Sequence, residues 1–93
     1  MPIQAITTSA TFQLKSSSAG YVQAINVSAP GTTWTVKLLD GPDSAGNTKT
    51  IFGGTTGWTA TAGIQPVATP MPFTNGLQVV TSGTAGELEI IYQ

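Results

Sequence analysis

Few side chains in this 93-residue sequence can do chemistry: four carboxylates, three lysines, and neither histidine nor cysteine. General acid-base catalysis needs titratable groups gathered in a cleft, and its usual participant, imidazole, is missing. The carboxylates form two pairs, Asp40 with Asp43 and Glu87 with Glu89. Glu87 and Glu89 stand two residues apart, which on a strand puts both on one face about 7 Å apart. That is close to the separation of some glycosidase carboxylates. Alternating glutamates are also how a sheet keeps its outer side wet, and solvation is the preferred reading.

The run Asp40-Gly41-Pro42-Asp43-Ser44-Ala45-Gly46-Asn47 offers oxygen ligands for Ca²⁺, without the EF-hand spacing. Its plainer reading is a loop whose Asp and Asn side chains bond their own backbone, and no metal or other cofactor is expected. Ser and Thr make up about a quarter of the chain. None has a histidine to activate it, and no Gly-x-Ser-x-Gly elbow occurs. Gly53-Gly54-Thr55-Thr56-Gly57 lacks the lysine and following helix of a phosphate-binding loop and reads as a tight turn. The chain is not read as an enzyme, and a small hydrolase stands last among the readings.

Length and charge narrow the partners. Residues 1–93 suffice for one domain, and a chain of this size buries only about 60 to 65% of its unfolded surface. Without cysteine or histidine, disulfides and thiolate or imidazole metal sites are excluded as supplements, which leaves assembly. The formal charge is −1. Lys15, Lys37 and Lys49 are too few and too scattered to displace phosphate counterions, so no nucleic-acid partner is expected. No apolar run approaches the roughly 20 residues of a membrane-spanning helix. Met1-Pro2-Ile3-Gln4 also lacks the basic start of a secretion signal. A soluble product of the cytoplasm, with no membrane partner, is the expectation.

The elements that would position these groups are strands. Phe12 and Leu14 share one face of a short strand. Tyr21, Ile25 and Val27, with Gln23 among them, share one face of the next, and Val22, Ala24, Asn26 and Ser28 the other. Thr32 to Asp40 reads as the central strand, with Trp34, Val36 and Leu38 on its core face and the indole between two layers. Thr48 to Phe52 and Trp58 to Thr61 follow as short strands. From Gly63 to Pro72 the prolines at 66, 70 and 72 forbid a central strand and favour an extended path along an edge. Phe73 to Gln93 reads as a closing hairpin: Leu77, Val79 and Thr81 face one way, Ser82 to Gly86 reverses the chain, and Leu88, Ile90 and Tyr92 face the core. Residues 1–9 are an edge strand or an extended N-terminal arm. The sum is an all-β, single-domain two-sheet sandwich, jelly-roll-like or immunoglobulin-like, of seven to eight short strands.

Several apolar residues fall outside this core pattern. Ile91 lies on the glutamate face of the last strand, Ile3 in the N-terminal segment, and Trp58 in a Gly- and Thr-rich stretch. Pro70, Met71 and Pro72 form a rigid apolar run. Ile3, Trp58, Pro70, Met71, Pro72 and Ile91 are therefore the candidate contact residues.

The runs Trp34-Thr35-Val36-Lys37-Leu38-Leu39-Asp40-Gly41, Phe73-Thr74-Asn75-Gly76-Leu77-Gln78-Val79-Val80, Gly83-Thr84-Ala85-Gly86 and Glu89-Ile90-Ile91-Tyr92 carry a likeness in pattern and spacing. Over roughly residues 20 to 93 the chain resembles the small β-sandwich structural proteins of tailed-bacteriophage virions. The resemblance implies a capsid decoration, or cement, protein that binds the major capsid protein as a homo-oligomer, most often a trimer. Its place would be the virion surface after synthesis in the host cytoplasm. A tail- or head-fibre component that binds a host surface glycan through Trp58 and the Asp40 to Asn47 loop is the alternative.

Overall fold

The computed structural model describes residues 2–93, and the side chains of all of these except 64–70. Nine strands form: β1 (Ile3–Ile6), β2 (Thr11–Ser16), β3 (Gly20–Ala29), β4 (Thr32–Asp40), β5 (Lys49–Phe52), β6 (Trp58–Thr59), β7 (Gly63–Phe73), β8 (Gly76–Thr84) and β9 (Glu87–Tyr92). They build two antiparallel sheets, sheet I in the order β1-β9-β3-β7 and sheet II in the order β2-β8-β4-β5, with β6 also paired to β4. The all-β sandwich is as expected, with one or two more strands than the sequence suggested. The additions are β1 and β7, read from sequence as an edge strand or arm and as an extended path, while the expected Trp58 strand is β6, which follows β5 along the same flank of β4 after the Gly53 to Gly57 turn.

Alternation fills the core. Trp34, Val36 and Leu38 on β4, Leu77 and Val79 on β8, and Leu88 and Ile90 on β9 are all fully buried. These are the residues a period-two reading assigns inward, and their burial is the main favourable term in folding. The Trp34 indole lies between the sheets, and its Nε1 donates to Ser9 Oγ at 3.1 Å. Thr81, the buried polar residue of the core, accepts the Ala10 N–H at 3.1 Å and donates to the Thr8 carbonyl at 2.8 Å. Among the described residues no buried side-chain nitrogen or oxygen lacks a partner, as interior polar groups require.

Two expectations change, and one open alternative is decided. First, Phe73 to Gln93 is not a hairpin: β8 belongs to sheet II and β9 to sheet I, so the turn between them crosses the core. Only β4, β5 and β6 follow one another within one sheet; every other connection passes between sheets. This is the double-sheet winding of a jelly roll and not the immunoglobulin arrangement. Gly86 makes the β8–β9 crossing fit, because a Cβ there would collide with the Ala29 carbonyl oxygen of the neighbouring β3–β4 crossing.

Second, the inward residues of β3 are Val22, Ile25 and Val27, not Tyr21 with the latter two. A bulge between Val22 and Ala24 shifts the register against both β7 and β9. The extra residue reverses the alternation, and Tyr21 turns outward. Third, residues 3–6 are no free arm. They form the edge strand of sheet I against β9, with Ile6 in the core. The proline-rich β7 occupies the opposite edge of sheet I, paired only to β3, where missing ladder donors are tolerated.

Candidate functional site

The acidic loop folds on itself. Asp40, at the end of β4, accepts the Asn75 N–H at 2.8 Å and the Thr74 N–H at 2.9 Å, one on each carboxylate oxygen. Asp43 Oδ1 accepts the N–H groups of Ala45 and Asn47, both at 2.9 Å. These carboxylates hold turns together, the side-chain-to-backbone pattern typical of Asp in loops. Among the described residues no three His, Cys, Asp or Glu side chains come together in a group able to hold a metal ion. Two open clefts of about 270 and 210 Å³ flank the loop and share Asp43 and Asn75. Ser17, Ser44 and Thr74 complete the lining of the first, with Pro42, so it offers hydroxyls, the Asn75 carboxamide and the Asp43 carboxylate.

Trp58 does not join that loop. It pairs with Val36 on β4 and stacks edge-on against Phe52, with ring centroids 5.7 Å apart and planes at 65°. It packs half-buried against the core. Val36 and Asp40 are four residues apart along β4, roughly 13 Å, so indole and loop do not form one binding surface. Sequence alone placed Trp58 among exposed contacts because its neighbours are Gly and Thr; Phe52, supplied from β5, is what covers it.

The glutamates also separate. Glu87 is exposed, whereas Glu89 is half-buried and accepts from Asn26 Nδ2 at 2.7 Å, with Ser28 Oγ at 3.4 and 3.5 Å from its two oxygens. Glu89 is thus held by neutral donors on β3, and no acid-base partner faces it.

The remaining candidates meet on the outward face of sheet I. Directly paired residues of an antiparallel sheet share a face, and Ile91 pairs with Ile3 on one side and Ala24 on the other. Ile3, Ile91 and Ala24 therefore form an apolar row across three strands. Ile3 is 64% exposed, the large hydrophobic residue left in solvent among the described residues. One row along, Tyr21 and Gln93 exchange both backbone hydrogen bonds at 2.8 Å, and the Tyr21 hydroxyl donates to Gln93 Oε1 at 3.1 Å. The exposed Pro72 pairs with Tyr21 and extends this second row. On the other side of the apolar row lie Ala5, Glu89 and Asn26.

Met71 belongs elsewhere. It pairs with the buried Val22 and packs, half-buried, against the core. The side chain of Pro70 lies outside the described residues. The structure thus gathers Ile3, Ile91 and Pro72 on one face and removes Trp58 and Met71 from it. Sequence reasoning missed Tyr21 as a member of this face, and it did not single out Ala24 or Gln93 as contacts. The available signal was the spacing Val22, Ile25, Val27, whose three-residue step breaks strict alternation and marks a bulge.

The sheet edges complete the picture. β1 has four residues, and its Gln4 side chain donates to the Ala5 carbonyl at 3.0 Å. β7 carries prolines and a register shift, β2 a register shift between Gln13 and Lys15, and β5 only four residues. These are the devices by which sheets avoid edge-to-edge growth. Comparison with protein-family models, with curated proteins and with solved structures returns no match for this chain.

Proposed function

We propose that the chain is a virion structural component, a capsid decoration protein that binds and stabilises the assembled head as a homo-oligomer. The resemblance described above implies the virion setting, the major capsid protein as partner and the trimer as reference stoichiometry. The observation that supports an assembly role is the outward apolar row Ile3, Ile91 and Ala24 on a sandwich whose edges are blunted. Ile3 is exposed and Ile91 and Ala24 are half-buried, and apolar side chains gathered in one row on an outer face mark a contact more than the same residues scattered singly. The mechanism is mass action: a protein that binds the assembled shell and not its dissociated subunits stabilises the shell in proportion to RT ln(1 + [L]/Kd).

Cosedimentation with purified capsids tests this, paired with Ile91→Asp. Capsid binding by the wild type, weakened in a variant with an unchanged β-sheet circular dichroism spectrum, is the expected result. A stable monomer at micromolar concentration that also fails to bind heads would overturn the proposal.

The alternative, a fibre component displaying loops to a host glycan, is favoured by one observation, the polar clefts around Asp43 and Asn75. Its test is glycan-array binding, with loss of signal in Asn75→Ala as the supporting outcome.

A further inference from the structure

From the outward face of sheet I we infer that two copies of this chain pair through it, about a two-fold axis lying along the Ile3, Ile91, Ala24 row. This inference rests on the surface itself and stands whether or not the capsid is the further partner.

The face is arranged as three parallel rows. The middle row is apolar. The row on one side holds Tyr21 and Gln93; the Tyr21 hydroxyl donates to Gln93 Oε1, which leaves the Gln93 amide nitrogen as the donor of this row. The row on the other side holds Glu89, an acceptor-only carboxylate, beside Asn26. Rotation about an axis along the middle row brings each apolar residue over its own counterpart. It also brings the Glu89 row of one copy over the Gln93 row of the other, since both sit two residues from Ile91 on β9. The Glu89 carboxylate then meets the Gln93 amide of the other copy, and the two Glu89 side chains stay on opposite sides of the axis. A patch that is self-complementary in this way is what an isologous two-fold contact requires. A two-fold axis along the strands would instead set Glu89 against Glu89, with the like-charge cost that implies.

The edges select a face over an edge-to-edge contact. Prolines, bulges and short strands blunt them, so sheet extension between copies is disfavoured. The three-fold stoichiometry implied by the family likeness needs a head-to-tail contact between different patches; this self-complementary face predicts pairs.

The chain has no cysteine, so single thiols can be introduced cleanly. Sheets stacked face to face stand about 10 Å apart, within reach of a short bismaleimide. Ala24→Cys lies on the proposed axis and is expected to crosslink to its own counterpart in high yield. Glu87→Cys, on the same face but off the axis, is expected to remain largely uncrosslinked. Sedimentation equilibrium should give a two-chain mass for the wild type, and Ile3→Asp should raise the dissociation constant tenfold or more. Ile3 is mostly solvent-exposed, so that variant retains the fold. A monomeric wild type, a dimer indifferent to Ile3→Asp, or crosslinking of Glu87→Cys in preference to Ala24→Cys would each overturn the inference. Capsid binding by a monomer would remove this inference together with the homo-oligomer part of the proposed function and keep its capsid-binding part; a dimer that ignores capsids would keep this inference and remove the capsid-binding part.

Discussion

The side chains of sheet II that point away from the core include Thr11, Gln13, Gln78, Thr35, Lys37 and Thr59, with Val80 set between Thr11 and Lys37 and Leu39 beside Gln78. Those of sheet I include Ile3, Ile91 and Ala24 in one continuous row. Both sheets are equally well filled inside, where Val36, Leu38 and Val79 on one match Val22, Ile25 and Ile90 on the other. The core therefore does not account for the outer aliphatic row. What separates the faces is the cation Lys37 on one and the carboxylates Glu87 and Glu89 on the other. A surface whose apolar residues, among those described, lie in register across three strands has the form of a contact. A face on which Val80 and Leu39 stand singly among hydroxyls, carboxamides and Lys37 has the form of a solvated boundary.

Adjacent residues on β9 give the hardest test of this contrast. Ile90→Ala empties a fully buried site and should cost about 2–5 kcal/mol, read as a lowered urea midpoint. Ile91→Ala, one residue later on the opposite face, should cost under about 1 kcal/mol in the monomer while weakening self-association. Equal losses of stability would erase the distinction between the two faces. Next in size is Gly86→Ala, where the new methyl meets the Ala29 carbonyl. About 1–3 kcal/mol of destabilisation is expected from overpacking, and no loss would contradict the crossing between sheets.

At the loop end, Asp40→Ala removes the acceptor for two backbone N–H groups and should cost about 1–2 kcal/mol in chemical denaturation. Millimolar calcium should leave the thermal midpoint of the wild type unchanged; a rise would show that the loop carboxylates serve an ion as well as the backbone. The smallest effect belongs to sheet II. Lys37→Gln should fall within about 0.5 kcal/mol and leave the oligomeric mass as it was.

Much of the fold was legible because alternation is a local property. The inward sets Trp34, Val36, Leu38 and Leu88, Ile90, Tyr92 follow from spacing alone, and each is buried. Partnership is not local. Ser82 to Gly86 turns the chain equally well within a sheet or between sheets, so the last two strands were read as a hairpin when they face each other across the core. Tyr21 was assigned inward for a related reason: the bulge after Val22 inserts one residue and inverts everything before it. Of the contact residues, Ile3 and Ile91 could be singled out one at a time, but their pairing depends on register between strands 88 positions apart. Trp58 and Met71 could not be placed from sequence, because exposure depends on what other strands bring over a side chain, here Phe52 and the core.

The central claim, that the outward face of sheet I is a contact surface between copies, is tested most directly by the sedimentation-equilibrium mass of the wild type and Ile91→Asp at the same micromolar concentration. The account predicts two chains for the wild type and one for the variant, with β-sheet circular dichroism unchanged between them. Identical masses for the two, or an Ile91→Asp chain that is unfolded, would contradict it.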